Sequence, residues 1–562
     1  MSCDLDIAKC FDFATERVLQ AGKILKCGQD EKIIYNKNEG DFVTNYDQQI
    51  EKLFIDGLAK EFPDHRIIAE EMVFAMQKMP ELTDAPTWFL DPIDGTINFM
   101  HSLPYFGISV ALMICKELVL GIIYNPSNSE FYSAIKGKGA FLNGKPIHVS
   151  NITDLKQAML GIDASAVKFV KKDKDMYTAR LTALIEATQV NRNIGSAALS
   201  MAYVAQGIID ILYDDVFLKP WDVAAGTLLI REAGGTVIDS KGATDSSEKA
   251  RGADTDNTVL ARAFCRRGRN RRTFARSPGC TEMARYAEDV YYETAIKLTR
   301  EAAQILRDSI NGLKHIQEKL GDWDLVTEYD RQIEDIIIGG LKRTFSNHRF
   351  IAEESTGKDL PELTDAPTWI IDPIDGTTNF IHGFPHTCVV IGLAVKKEMV
   401  LGIVYNPILE QLFTARKGRG AFLNGKPIQV SKIQELSKAL VCMESGFIKV
   451  DDLREKMVER MQTIVKAAQG IRTLGVAALT LCYIALGIVE AYYIEGPGIS
   501  TWDIAAASLI ISEAGGVVVD RITGEPIDIM KPRAVAACNE GIARDVVRLI
   551  READHRVDMR TK

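Results

Sequence analysis

A long internal repeat is the feature that most constrains this chain of 562 residues. The segment 88–96, Trp-Phe-Leu-Asp-Pro-Ile-Asp-Gly-Thr, returns at 369–377 as Trp-Ile-Ile-Asp-Pro-Ile-Asp-Gly-Thr. The heptapeptide Phe-Leu-Asn-Gly-Lys-Pro-Ile occurs at 141–147 and at 422–428, with the same offset of 281 residues. Because this period is far longer than that of a solenoid, the sequence predicts two copies of one large domain.

The two copies divide near residue 275, close to the basic run Arg266-Arg-Gly-Arg-Asn-Arg-Arg272. We therefore predict a first domain at 1–264, a basic linker at 265–280 and a second domain at 281–562. A basic run between domains is usually a solvated linker, with a nuclear-import or nucleic-acid patch as the alternative. The formal net charge of −9 provides no global positive field, so we expect no nucleic-acid partner.

Helical and strand patterns alternate in each copy and predict an α/β fold. Apolar residues recur at helical spacing over 7–25 and again over 290–305. Strand-rich stretches follow the aspartate motif at 106–115, 119–124 and 130–135. Asn143-Gly144 and Asn424-Gly425 lie between apolar runs and predict tight hairpins. The segment after Trp221 predicts a helix with Asp222 at its start and Gly234-Gly235 past its end.

The apolar runs are too short to span a bilayer, so we expect no membrane partner. The N-terminal segment Met-Ser-Cys-Asp-Leu-Asp lacks the basic and apolar regions of a signal peptide. Ten cysteines are scattered without a Cys-x-x-Cys pair, which indicates free thiols in a reducing compartment. Together these features predict a cytoplasmic protein.

Each aspartate motif places two carboxylates three residues apart at the end of a short apolar strand. Such paired oxygen ligands suit Mg²⁺, whereas Zn²⁺ prefers Cys and His. If a helix starts directly afterwards, the backbone N–H groups of Gly95 and Thr96 are available to phosphate, as are those of Gly376 and Thr377. Asp, Pro and Gly are also the residues of ordinary turns, so the motif alone leaves both interpretations open.

Other carboxylates keep their spacing in both copies. Glu70 follows Asp47 by 23 residues, as Glu353 follows Asp330. Asp222 follows Asp94 by 128 residues, as Asp503 follows Asp375. In isolation a Glu pair after a strand is a solvated edge and Asp222 is a helix cap. Their joint retention in two divergent copies argues against turns and caps that arose by chance.

With these residues the chain resembles the inositol monophosphatase family over nearly all of both copies. The matching motifs are Trp-x-x-Asp-Pro-Ile-Asp-Gly-Thr, the Glu-Glu strand end and the Trp-Asp-x-Ala-Ala helix. The sequence around the aspartate motif is especially similar to that of animal members of the family. The resemblance implies two tandem α/β sandwich domains with αβαβα layers. It also implies Mg²⁺-dependent hydrolysis of inositol monophosphates by a metal-activated water, with inhibition by lithium.

The resemblance further implies roles for individual residues. The implied metal ligands are Glu70, Asp91, the carbonyl of Ile93, Asp94 and Asp222 in the first copy, and Glu353, Asp372, the carbonyl of Ile374, Asp375 and Asp503 in the second. The residues implied to hold the attacking water and take its proton are Thr96 with Asp47, and Thr377 with Asp330. The implied substrate contacts are Asp94, Gly95, Ala197 and Asp215, and Asp375, Gly376, Ala477 and Glu495.

The chain also departs from the family pattern in ways that leave substrate preference open. The residue before the Ala pair is Ser196 in the first copy but Val476 in the second, and Ile97 replaces a Thr. Another small phosphate, such as an adenosine bisphosphate or a sugar phosphate, is therefore an alternative substrate. One copy acting as a non-catalytic scaffold is a second alternative. Because family members resemble homodimers, we expect the two copies to form an intramolecular pseudo-dimer.

The copies differ most in their C-terminal parts. After Gly235 the first copy continues into the polar stretch 240–257, whereas the second continues with strand-forming residues and a terminal helix. Only 258–264 offers a weak substitute strand in the first copy. We therefore expect the helix that carries Asp222 to be less well covered, and the second copy to be the better enzyme.

Overall fold

The computed structural model describes residues 6–27, 32–38, 41–168, 170, 174–214, 218–238, 259–262, 286–310, 312, 314–321, 324–357, 360–494 and 499–560. The chain divides into two compact units, Met1–Arg266 and Arg267–Lys562. The basic linker predicted at 265–280 lies outside the described residues, and the predicted domain limits stay predictions. None of the described helices combines the length and the apolar character needed to cross a bilayer.

Helices and strands alternate along the first unit. They are α1 (Ile7–Cys27), β1 (Ile34–Asn38), β2 (Asp41–Thr44), α2 (Asn45–Glu61), β3 (Arg66–Ala69), α3 (Glu70–Met76), β4 (Thr87–Asp94), α4 (Thr96–His101), β5 (Gly107–Ile114), β6 (Glu117–Asn125), β7 (Glu130–Ile135), β8 (Gly139–Leu142), β9 (Lys145–Ile147), β10 (Met159–Ile162), α5 (Lys174–Ala187), β11 (Val190–Arg192), α6 (Ala197–Gln206), β12 (Ile211–Asp214), α7 (Pro220–Glu232), β13 (Thr236–Ile238) and β14 (Val259–Arg262). Short 3₁₀ turns such as Leu155–Gln157 connect some of them.

The second unit repeats this order with a longer C-terminal part. Its elements are α8 (Tyr286–Ser309), β15 (Ile316–Gly321), β16 (Asp324–Thr327), α9 (Glu328–Thr344), β17 (Arg349–Ala352), β18 (Thr368–Asp375), α10 (Thr377–His382), β19 (Cys388–Val395), β20 (Glu398–Asn406), β21 (Gln411–Arg416), β22 (Ala421–Leu423), β23 (Lys426–Ile428), β24 (Leu440–Met443), α11 (Asp451–Ala467), β25 (Gly470–Arg472), α12 (Ala477–Ala485), β26 (Ala491–Ile494), α13 (Thr501–Glu513), β27 (Val517–Asp520), β28 (Ala534–Ala537) and α14 (Glu540–Arg560).

Each unit contains a two-stranded hairpin, a seven-stranded sheet and a five-stranded sheet. In the first unit the larger sheet has the order β3-β4-β5-β6-β7-β8-β9 and the smaller one β11-β10-β12-β14-β13. The second unit repeats both orders with its own strands. The turn between β8 and β9 has positive φ angles of 49° at Asn143 and 75° at Gly144, so the predicted hairpin is confirmed.

Helices and sheets stack in alternating layers. Helices α1 and α2 pack on one face of the larger sheet, and α7 crosses its other face. Helix α6 lies between α7 and the smaller sheet, and α5 packs against β10 of that sheet. An added Cβ at Gly121 of β6 would come within 2.9 Å of the Ala225 carbonyl, so this glycine permits the close approach of α7. The predicted αβαβα layering is confirmed.

The core follows the predicted periodic faces. Ala14, Val18 and Leu25 of α1 are fully buried against the larger sheet, with Ile50 and Phe54 of α2 beside them. Burial of each large apolar side chain stabilises the unit by roughly 1.5–3 kcal/mol. This packing holds α1 and α2 to the larger sheet.

The C-terminal part of the first unit is more complete than its composition predicts. Residues Val259–Arg262 form a full strand between β12 and β13, and so restore the five-stranded order of the second unit. The interpretation of 258–264 as a weak substitute therefore underestimated this strand. Residues 239–258 lie outside the described part of the chain. Helix α14 packs on α11 and β28 in the second unit, and the described residues of the first unit have no counterpart to it.

Candidate metal and phosphate site

The aspartate motif forms the end of a buried strand in both units. β4 pairs with β5, and the register shifts between Asp91 and Asp94, so both carboxylates come from one irregular strand end. Gly95 then adopts a φ of 84°, which L side chains rarely adopt, and α4 begins at Thr96. The second unit repeats this geometry with a φ of 85° at Gly376. The expected helix start after each motif is therefore present.

Local hydrogen bonds fix one side of the first aspartate in each motif. The Ile93 N–H donates to Asp91 Oδ1 at 3.0 Å, and the Ile374 N–H donates to Asp372 Oδ1 at 2.9 Å. The Thr96 hydroxyl donates to the Ile93 carbonyl at 3.0 Å. The turn thus holds the predicted carboxylate and carbonyl ligands in one rigid unit.

Asp47 and Asp222 are both helix caps and members of the cluster. Asp47 Oδ2 accepts the Thr44 N–H at 2.7 Å and the Thr44 hydroxyl at 2.6 Å, which forms a capping box on α2. Asp222 Oδ2 accepts the Lys219 N–H at 2.6 Å at the start of α7. In these bonds each aspartate accepts only through Oδ2, so the same side chain can cap a helix and also act as a metal ligand.

The second unit repeats these caps. Asp330 Oδ2 accepts the Thr327 N–H at 2.7 Å, and Asp503 Oδ2 accepts the Ser500 N–H at 2.5 Å. In addition, the Thr377 hydroxyl donates to Asp330 Oδ1 at 3.2 Å. The predicted Thr377–Asp330 pair is therefore in contact.

The glutamate pair is positioned by a carboxylate that sequence patterns did not single out. Glu51 of α2 accepts the Glu71 N–H at 2.9 Å, and Glu334 of α9 accepts the Glu354 N–H at 2.7 Å. These bonds tie the residues that follow β3 and β17 to α2 and α9. Their only sequence mark is the position four residues after Asp47 and Asp330, one helical turn further along.

A lysine also enters the cluster of the first unit. Lys37 of β1 lies 2.8 Å from Glu70 Oε1, contacts Glu71, and exposes 2% of its side chain. This residue was not recognisable from the sequence, because a lysine in a polar hairpin carries no distinctive pattern.

The N-termini of α6 and α12 fix the second aspartate of each motif. Asp94 Oδ2 accepts the Ala198 N–H at 2.9 Å and the Ser196 hydroxyl. Asp375 Oδ2 accepts the Ala478 N–H at 2.6 Å, while Oδ1 lies 3.3 Å from the Ala477 nitrogen. The predicted contact residues Ala197 and Ala477 thus lie at the site, as the first residues of their helices.

Charge repulsion within the cluster is strong. Burial raises the pKa of Asp91 well above its usual range, and the charges of Glu70, Asp94, Asp222 and Asp47 raise it further. Burial is also the main cause that raises the pKa of Asp94 to about 6 and that of Asp375 to about 7. In the second unit, oxygens of Asp372, Asp375 and Asp503 lie within 4.8 Å of one another.

This donor set fits a hard divalent cation. Several carboxylates converge, and protein donors bind Oδ1 of Asp91 and Oδ2 of Asp94 and Asp222. A multivalent cation would offset the mutual repulsion that, after burial, raises their pKa values, and oxygen-only ligands favour Mg²⁺ or Ca²⁺ over Zn²⁺. The chemistry available at such a site is binding and activation of phosphate and water.

A cavity of about 230 Å³ opens beside the cluster of the first unit. It is lined by Asp94, Ile162, Asp163, Gly195, Ser196, Ala197, Ser200, Leu212, Asp214, Leu218 and Asp222. Of the predicted substrate residues, Asp215 and Glu495 lie outside the described residues. Asp214 lines the cavity, on the same face of β12 as Leu212.

The position in the second unit that corresponds to Asp214 is apolar. Strand pairing aligns Asp214, opposite Val259, with Ile494, opposite Ala534. Asp163 aligns with Glu444, which accepts the Gly475 N–H at 3.1 Å and the Tyr492 hydroxyl at 3.2 Å. Two features of the sequence could have identified these positions. Asp214 follows the alternation of side chains along β12, and Asp163 is the acidic residue directly after β10.

Comparison with known proteins agrees with this geometry. The sequence model of the inositol monophosphatase family matches residues 6–270 and again 287–554. Inositol monophosphatase 2 of Rattus norvegicus is 45% identical over 251 residues, which covers 44% of this chain and 86% of the relative. Inositol monophosphatase 2 of Solanum lycopersicum is 43% identical over 267 residues, which covers 47% of this chain and 99% of the relative.

Among solved structures, the IMPase of Thermotoga maritima is 32% identical and covers 48% of this chain and 99% of its own, with a TM-score of 0.42. Since each relative spans about half of this chain, the two family matches account for its length. The repeated carboxylate cluster, the αβαβα layers and the double match lead to one conclusion: this chain belongs to the inositol monophosphatase family and is a phosphoric monoester hydrolase with two copies of the family domain.

Proposed function

We propose that both units hydrolyse inositol monophosphates to inositol and inorganic phosphate with Mg²⁺ as cofactor. The observation that carries the proposal is the buried carboxylate cluster, repeated in both units, in which hydrogen bonds from protein donors fix each motif aspartate. The polar cavity beside the cluster in the first unit supplies further carboxylates, Asp163 and Asp214. Such groups accept hydrogen bonds from the hydroxyls of a polyol.

Hydrolysis of a phosphate monoester is extremely slow without a catalyst, because the dianion repels a nucleophile. Bound Mg²⁺ supplies charge neutralisation of the phosphoryl oxygens, an acidified water and stabilisation of the leaving alkoxide. The residues proposed to hold it are Glu70, Asp91, the Ile93 carbonyl, Asp94 and Asp222, with Glu353, Asp372, the Ile374 carbonyl, Asp375 and Asp503 in the second unit.

The remaining steps belong to the chain's own residues. Thr377 and Asp330, whose side chains are in contact, orient a water, and Asp330 Oδ1 accepts its proton. Burial raises the pKa of Asp330 to about 7, which suits a base at neutral pH. Thr96 and Asp47 have the same role in the first unit. The backbone N–H groups of Gly95 and Gly376 bind phosphate oxygens.

A phosphate-release screen on the full chain tests the proposal. We expect turnover of inositol monophosphates to exceed that of an adenosine bisphosphate and of sugar phosphates, to require added Mg²⁺ and to fall with lithium. Faster turnover of a nucleotide or a sugar phosphate would show that inositol monophosphates are not the preferred substrate. Full activity in excess chelator would remove the metal assignment.

We also infer a cytoplasmic location. All cysteines in the described part of the chain are free thiols, including the exposed Cys27 and Cys115, which suits a reducing compartment. Cell fractionation with a tagged full chain tests this inference. Recovery in a secreted or organellar fraction would contradict it.

A further inference from the structure

The two units fix their second motif aspartate with different side chains. In the first unit the Ser196 hydroxyl donates to Asp94 Oδ2. In the second unit Val476 stands at the Ser196 position and has no hydroxyl. There the Cys388 thiol lies 3.8 Å from Asp375 Oδ2, within hydrogen-bond distance for sulfur.

Strand register shows that the side-chain donor to this aspartate comes from a different element in each unit. Asp94 pairs with Gly107 across β4 and β5, and Asp375 pairs with Cys388 across β18 and β19. The first unit therefore has a hydroxyl on the helix side and no side chain at Gly107. The second unit has a methyl-bearing side chain on the helix side and a thiol on the strand side.

Among the described residues, the Cys388 thiol is the side-chain donor that contacts Asp375 Oδ2. An added Cβ at Gly376 would lie 2.4 Å from Val476 Cγ2, so the valine fills the space beside the glycine turn. Cys388 is fully buried, and Asp375 exposes 6% of its surface. Since water has little access, loss of the thiol leaves this oxygen with one bond fewer than in the first unit.

We infer that Cys388 is a positioning residue of the second site. Its thiol and the Ala478 N–H hold Asp375 Oδ2, while Oδ1 lies 3.3 Å from the Ala477 nitrogen, and together these contacts fix the carboxylate beside Asp372 and Asp503. It thereby takes over the function of Ser196 through a different element of the fold. This inference rests on the proposed function of the cluster as a Mg²⁺ site.

Mg²⁺ binding by the full chain tests the inference without reference to turnover. In an Asp91→Asn background, which weakens the first site, isothermal titration reports the second. Loss of one buried hydrogen bond predicts about three- to tenfold weaker Mg²⁺ binding for Cys388→Ala. Adding Val476→Ser to Cys388→Ala supplies a hydroxyl from the helix side, as in the first unit, and restores the affinity. Cys388→Ser retains a donor and binds nearly as the parent does.

Cys482→Ala is the matched control. Cys482 is a second fully buried cysteine of this region, and the first unit has Ala202 at its position. We expect its Mg²⁺ affinity to equal that of the parent. The infrared S–H stretching band of Cys388 should also shift when Asp375 is replaced by Asn.

Two results would overturn the inference. One is equal Mg²⁺ affinity for Cys388→Ala and Cys482→Ala, and the other is failure of Val476→Ser to restore binding in a folded Cys388→Ala protein. A parent that binds no Mg²⁺ at all would instead overturn the proposed function and, with it, this inference. Circular dichroism of each variant establishes that it is folded.

Discussion

The Thr377 hydroxyl lies 3.2 Å from Asp330 Oδ1 and 3.0 Å from the Ile374 carbonyl oxygen. One hydroxyl has one proton, so it can donate to only one of these acceptors at a time, while its lone pairs remain open to a water. This arrangement joins the proposed base to the strand end that carries Asp372 and Asp375.

This contact predicts a defect in turnover for Thr377→Ala. In an Asp91→Asn background we expect kcat to fall by about 100-fold, because the water loses one of its two orienting groups, with KM changed by less than about threefold. Thr377→Ser keeps the hydroxyl and should retain most of the activity. Steady-state kinetics decide the matter, and a rise in KM at unchanged kcat would contradict the assigned role.

The two sites should share the activity unequally. Asp372→Asn should cost more turnover than Asp91→Asn, and the double variant should lose nearly all of it. The second unit has the tight Asp372–Asp375–Asp503 group, and displacement of a ligand by about 1 Å costs on the order of 100-fold in rate. A larger loss from Asp91→Asn would reverse the order, and wild-type turnover of the double variant would show that these aspartates are not ligands.

Ionisation of Glu130 should make the first unit less stable at pH 7 and above than at pH 4.5. Its carboxylate accepts hydrogen bonds from Asn125 at 3.0 Å and from Tyr203 at 3.4 Å, and burial raises its pKa to about 7. Since the folded-state pKa exceeds the unfolded value of about 4.5, the favourable contribution of Glu130 is complete below pH 4.5 and is lost as pH rises towards 7.

The variant Glu130→Gln should remove this pH dependence. The second unit has Gln411 at the same register position, where it accepts the Tyr483 hydroxyl at 3.1 Å, so the neutral side chain is compatible with the site. We expect Glu130→Gln to raise the free energy of unfolding of the first unit by roughly 1–2 kcal/mol at pH 8 and to change it little at pH 4.5. Urea denaturation at the two pH values measures the difference, and equal effects at both would contradict the prediction.

The family resemblance predicts that the two copies form an intramolecular pseudo-dimer. A covalent connection raises the effective concentration of the partner domain, which favours a dimer-like interface within one chain. Small-angle scattering of the full chain should then report one compact particle whose dimensions do not change with protein concentration. Two separated lobes, or an intermolecular dimer that grows with concentration, would contradict it.

The amino-acid sequence by itself determined the duplication, the layered fold class and the residues of the cluster. Periodic apolar faces predicted α1 and α2, and the Asn143-Gly144 turn predicted its hairpin, because these depend on residues close together in the chain. The carboxylates at Asp47, Asp94 and Asp222 were recognisable because their spacing recurs in two divergent copies.

Only the tertiary structure decided how these residues are held. Which aspartate oxygen is bound depends on donors far away in sequence, such as Ala198 for Asp94 and Cys388 for Asp375. The same is true of the strand Val259–Arg262, whose place between β12 and β13 comes from pairing with distant strands rather than from its own composition. Long-range hydrogen bonds leave no periodic pattern in the sequence, so they became visible only once the sheets and helices had been brought together.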